Sequence, residues 1–210
     1  MFLHSFRPAL LPILLLALPL TAQQRVFRVD DNHTVIGFKA STLLFDVPGR
    51  FTRYQADIQG DPATLEGAKV RITLDSKSIN TANTARDNHL RTPDFFDVAK
   101  YPTITFTSSE VKKAGDRLVV RGTLTMHGVS RELELPFVAA EGMNGAGVRT
   151  WSYRASLPLD RLEFGVGAES VAAKISLKNQ VELDLLLVGF FEEPQAAAGP
   201  ARKAAKGGKK

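Results

Sequence analysis

Arg86, Asp87 and His89 are the residues of this 210-residue chain whose types and spacing come nearest to a chemical site. Thr84-x-x-Asp87 has the form of a capping box, and Leu90 is soon followed by Pro93, so the segment predicts a short helix near residues 84–92. Arg86 and His89 share one face of that helix, where a guanidinium and an imidazole can meet a quinone carbonyl or a phosphate of a ligand head group. The competing role is structural: Asp87 caps the helix and Arg86 pairs with a carboxylate of a neighbouring strand. The structural role is favoured, because a helix inserted between strands needs such ties. Phe95 and Phe96 lie just past the helix, and Tyr101-Pro102 forces the backbone to extend, so the segment reads as an aromatic lid or plug.

Other chemistry finds little support. His33 follows Asp30-Asp31-Asn32 in a turn and His127 sits in a hairpin turn, so no pair of histidines has the spacing of a metal site. With no cysteine there is neither disulfide nor thiolate chemistry. Acyl transfer lacks its Gly-x-Ser-x-Gly elbow, and the glycine-rich run from Gly142 to Gly147 joins two strands, leaving no helix N-terminus for an anion. An enzyme acting on envelope lipid needs a polar cluster inside a cavity, and none is visible. No catalytic residue, metal or cofactor is assigned.

Charge and leader bear on location. Ala9 to Leu20 is an apolar run behind Arg7, with small residues at Leu20-Thr21-Ala22, which predicts a signal peptide over residues 1–22 and a periplasmic or secreted protein. The run is too short and too proline-rich for a spanning helix, which takes roughly 20 apolar residues. The formal charge of +5 belongs to the end of the chain, where Arg202, Lys203, Lys206, Lys209 and Lys210 sit in an Ala/Gly/Lys-rich tail over residues 194–210. That composition predicts disorder. Its functional reading is attachment to an anionic envelope surface, and the alternative is a solvated tail. Nucleic-acid binding is not indicated, since no basic stripe with interleaved aromatics precedes the tail.

Between these flanks, residues 23–193 alternate with period two. Val26–Asp30, Thr34–Thr42, Arg50–Gln59, Ala68–Leu74, Thr103–Val111, Arg117–Met126, Ser130–Ala139, Trp151–Leu159 and Lys174–Val188 read as strands. One face is apolar and the other carries Arg71, Arg121, Glu132, Glu134, Glu182 and Asp184. Short turns at Val47-Pro48-Gly49, Gly60-Asp61-Pro62, Ala114-Gly115-Asp116 and His127-Gly128 imply antiparallel neighbours. Meander connectivity favours a closed all-β barrel, because closure removes exposed edges, and about eight strands make it just wide enough to fill or to hold one slender ligand. Phe38, Phe51, Ile72, Phe106, Leu124, Phe137 and Trp151 fall on apolar faces of different strands, while Phe45, Phe95, Phe96 and Phe164 lie near strand or helix ends. Together they form a candidate channel and its mouth. Each taken singly is better explained by core packing.

The order and spacing of four linked motifs carry a family resemblance. Arg86-Asp87-x-His89-Leu90, Asp94-Phe95-Phe96-Asp97, Tyr101-Pro102-x-Ile104-x-Phe106 and Gly122-x-Leu124-Thr125-x-x-Gly128-Val129 resemble the signature of the YceI-like family over about Phe27 to Val188. The resemblance implies an exported, lipocalin-like, eight-stranded antiparallel barrel that binds a polyisoprenoid or isoprenoid-quinone-like lipid and performs no established reaction. Many members carry a His-Leu-Gly turn near the end of the second strand; here Thr42-Leu43-Leu44-Phe45 stands there, so no role of that histidine carries over. The alternative to a lipid carrier is a non-catalytic envelope protein with a filled barrel. Leu186, Phe190 and Phe191 would then lie in a contact patch, and a homodimer is one way to cover it.

Overall fold

The computed structural model describes residues 24–192; the expected signal peptide and basic tail lie outside them. The chain forms β1 (Arg25–Val29), β2 (Val35–Thr42), β3 (Asp46–Phe51), β4 (Tyr54–Gly60), β5 (Lys69–Asp75), β6 (Ile79–Asn80), α1 (Thr84–Leu90), β7 (Thr103–Ala114), β8 (Arg117–Met126), β9 (Val129–Met143), β10 (Arg149–Asp160), α2 (Val171–Ser176) and β11 (Leu177–Phe191). Every pairing is antiparallel. β1 and β2 lie end to end along β11, and β3 and β4 follow one another beside them. The strands therefore make a closed barrel of eight staves, with β6 a short extension beside β3. No helix among the described residues is long and apolar enough to cross a membrane.

The break between β1 and β2 is built by polar side chains. Asp30 accepts from the Asn32 amide and pairs with the His33 ring, while the Thr34 hydroxyl bonds both the carbonyl and the amide of Val188 and so rejoins the stave to β11. His127 and Gly128 both have positive φ, the conformation that two-residue hairpin turns require. Two expected boundaries are corrected. Val47-Pro48-Gly49 is strand, not turn: Pro48 faces Lys39 of β2, and β6 pairs with β3 only at Arg50 and Phe51, so the missing proline N–H leaves no ladder bond unmade. The turn lies instead at Thr42, whose hydroxyl accepts from the Leu44 and Phe45 amides. Similarly, Lys174 is helical rather than extended, because Ser170 caps α2 through the Ala173 amide.

Just before β4, Arg53 reaches across to Asp75 at 2.6 Å, and Asp75 also accepts from the Lys77 amide. The Arg53 hydrogen bond holds the Asp75 carboxyl below its usual range. A carboxyl lowered in the folded state adds stability above the ordinary carboxylate range and loses it as the pH falls through the folded value. Both side chains are substantially exposed, so the contribution is under about 1 kcal/mol. Urea midpoints should therefore separate wild type from Asp75→Asn slightly at pH 7 and draw together as the pH falls below the ordinary carboxylate range.

The apolar faces turn inward and form two clusters. One surrounds Phe27, Val111, Val120, Phe137 and Tyr153; the other surrounds Phe51, Ile79, Phe95, Ile104 and Phe164. Ile72, Leu124 and Leu133 pack against both and mark the waist between them.

Candidate functional site

A cavity of about 170 Å³ runs through both clusters. At one end it reaches Phe51, Leu74, Ile104, Met126 and Leu159; at the other it reaches Phe27, Leu65, Ala68 and Phe191. The wall residues on strands are there because their strands alternate: Leu183, Leu185 and Leu187 of β11 face in while Glu182 and Asp184 face out to Lys39 and Arg154. Tyr153 supplies the lone polar side chain in the lining. Two wall rings owe their positions to glycines on the next strand. A Cβ at Gly49 would strike the Phe38 ring, and one at Gly189 would strike the Phe27 ring and the Arg28 carbonyl. The small residue lets an aromatic ring cover the backbone from inside the barrel.

The first end is closed by α1 and the segment that follows it. Asn83 rather than Thr84 is the N-cap, accepting from the Arg86 amide. Asp87, only 6 % exposed, does not cap the helix; it accepts from both the amide and the hydroxyl of buried Thr81, at 2.9 and 2.6 Å. Arg86 donates to the Thr81 hydroxyl and carbonyl, not to a carboxylate. His89 pairs with Asp94 at 3.0 Å and packs edge-on against Phe95. All three side chains are thus engaged within the plug, through other partners than the expected helix cap and strand carboxylate. Beside it, buried Arg161 donates to the carbonyls of Val166, Leu177 and Lys178 and to the Asn179 side chain, and burial lowers its pKa. This guanidinium fastens the stretch between β10 and β11 over the barrel mouth.

Of the expected ligand-binding residues, Phe38, Phe51, Ile72, Phe106, Leu124 and Phe137 border the cavity. Phe45, Arg86, His89, Phe95, Phe96, Trp151 and Phe164 do not. Phe95 and Phe164 are buried in the closing cluster, and Phe96 packs edge-on to Phe51 behind the wall. Phe45 is exposed with Leu43 and Leu44 at the tip of the β2–β3 turn. Trp151 packs on Phe191 and borders an open depression at the far end with Gln24, Arg25, Pro62, Glu141 and Arg149. Phe191, expected on an outer contact patch, is 6 % exposed and belongs to the inner wall, because its register with Phe27 turns it inward. Phe27, Tyr153 and the β11 leucines were missed as site residues, although the alternation that places them inside is plain in the sequence. Among the described residues, no group of three or more His, Cys, Asp or Glu is placed to hold a metal ion.

A closed eight-stranded antiparallel barrel, plugged at one end by a short helix and carrying an apolar internal cavity, defines the lipocalin-like class of barrels. Within that class the YceI-like domain matches residues 27–188, and the chain belongs to the YceI-like family. It is similar to a UPF0312 protein of Vibrio vulnificus, 30 % identical over 80 % of this chain and 92 % of the relative. A UPF0312 protein of Shewanella baltica is 32 % identical over 81 % of this chain and 90 % of its own length. Among solved structures, Burkholderia cenocepacia BcnA superposes with a TM-score of 0.69 at 26 % identity, over 77 % of this chain and 99 % of BcnA. A polyisoprenoid binding domain from Saccharophagus degradans shares the fold, with a TM-score of 0.55 at 18 % identity over 80 % of this chain and 98 % of that domain.

Proposed function

We propose that the protein is an exported, non-catalytic binding protein that holds a polyisoprenoid or isoprenoid-quinone-like lipid inside its barrel. One observation carries this reading: a cavity along the barrel whose lining offers a single polar side chain. Such a wall rewards only apolar surface, at about 0.8 kcal/mol per buried methylene, and makes almost no polar demand of its occupant. The Saccharophagus barrel described as polyisoprenoid binding supports the choice of ligand. Five of the seven expected residues off the wall act indirectly: Phe95, Phe96 and Phe164 back the closed end, while Arg86 and His89 belong to the plug.

The test is organic extraction of protein purified from its native envelope, followed by mass spectrometry. A stoichiometric isoprenoid is expected. Protein that arrives empty and binds no added isoprenoid would sink the reading. The cavity's volume favours the second reading, a filled-barrel envelope protein, since ordinary ligand pockets measure about 300–1,000 Å³. On that reading the extract is empty and the partner binds outside.

A further inference from the structure

We propose that the Tyr153 hydroxyl is the recognition point for the lipid's polar group, and that this group is a neutral acceptor, a carbonyl, ether or hydroxyl oxygen, rather than a phosphate. The inference rests on the lipid-binding reading and deepens it. Tyr153 is 7 % exposed, and its hydroxyl oxygen is fully buried without a hydrogen-bond partner in the protein. It stands in a wall where Phe27, Phe106, Phe137 and Phe191 do the packing, and its ring meets Phe27 edge-on at 5.6 Å. A phenylalanine would serve that packing equally well. A buried hydroxyl left unpaired opposes folding, and this oxygen exposes under 1 Å² even toward the cavity, so it gains a partner only from an occupant that opens the wall beside it.

The surroundings decide what kind of partner. No lining residue is cationic, so a phosphate beside Tyr153 would be a buried, uncompensated charge. Burial and the nearby Glu141 carboxylate both push the phenol pKa up, which keeps the hydroxyl a donor and makes the site hostile to an anion. Arg86 and His89 are spent on Thr81 and Asp94 at the closed end, and Arg25 and Arg149 border the open depression outside Trp151 rather than the cavity lining. A neutral oxygen receiving one hydrogen bond fits this wall.

Wild type and Tyr153→Phe, delipidated and otherwise full-length, are compared for binding geranylgeraniol, its diphosphate and the oxygen-free hydrocarbon of the same chain length. Trp151 is the sole tryptophan and stands two residues from Tyr153, so its fluorescence reports occupancy. Tyr153→Phe should weaken geranylgeraniol about three- to tenfold, the worth of one ordinary hydrogen bond, and leave the hydrocarbon unchanged. Without lipid, the variant should melt about 2–4 °C higher, because an unpaired buried hydroxyl has gone. Equal binding of geranylgeraniol by both proteins, a loss common to all three probes, tighter binding of the diphosphate than of the alcohol, or a lower melting temperature for the variant would each overturn the proposal. If none of the probes binds wild type, the lipid reading itself fails.

Discussion

Leu133→Trp should abolish binding of a long isoprenoid while sparing a short one. Leu133 stands with Ile72 and Leu124 at the waist where the two clusters meet, and all three line the cavity. An indole there fills much of a cavity of only about 170 Å³ and divides it in two. A five-carbon isoprene unit shut out of the wall forfeits up to about 4 kcal/mol at about 0.8 kcal/mol per carbon, so exclusion of a single unit weakens binding about 100- to 1,000-fold. Overpacking costs about 1–3 kcal/mol, which a barrel of this size tolerates. Titration with isoprenols of increasing length, beside a urea melt, reads both effects. Unchanged affinity for the longest chain in a folded variant would show that the lipid does not thread past the waist.

Asp87→Ala should be the costliest substitution in the plug, at about 2–4 kcal/mol and a fall of roughly 5–15 °C in melting temperature. The Asp87 carboxylate serves the amide and the hydroxyl of Thr81, and Thr81 in turn receives Arg86. Alanine strands two buried donors at once and loosens α1 from the loop after β6. Asp87→Asn keeps an acceptor and should cost about 1 kcal/mol. Urea midpoints of the pair separate the bond from the charge. Similar losses in both variants would mean that the charge, not the acceptor, holds the plug.

The barrel was legible in the sequence because period two was nearly unbroken. A strand with Leu183, Leu185 and Leu187 on one side and Glu182 and Asp184 on the other has a single sensible orientation. The β2–β3 turn was misplaced because Pro48-Gly49 looks like a turn to local chemistry. Only the pairing of Pro48 and Gly49 with β2 alone, and the space that Phe38 needs over Gly49, explain why those residues are strand. The polar cluster was misread for a related reason. Asn83 and Thr84 are both good caps, and the capping-box spacing drew Asp87 into a local role, whereas Thr81 claims it across a loop. Half the expected ring lining failed because sequence gives the face a residue points to but not its depth: Phe164 and Phe95 point inward and lie beyond the cavity's end. Tyr153 was passed over because hydrogen-bond satisfaction is a property of neighbours, which a sequence does not list.

The seam that closes the ring also sets the direction in which the molecule is held. β1 begins and β11 ends beside one another, with the Glu192 amide bonded to the Val26 carbonyl and Arg28 paired with Glu192. Gln24 and Glu192 thus stand together at the end that bears Arg25, Glu141 and Trp151. A tether joined at residue 24 or at residue 192 turns that end toward its anchor and leaves the α1 end pointing away. Either attachment therefore presents the same face to an incoming vesicle.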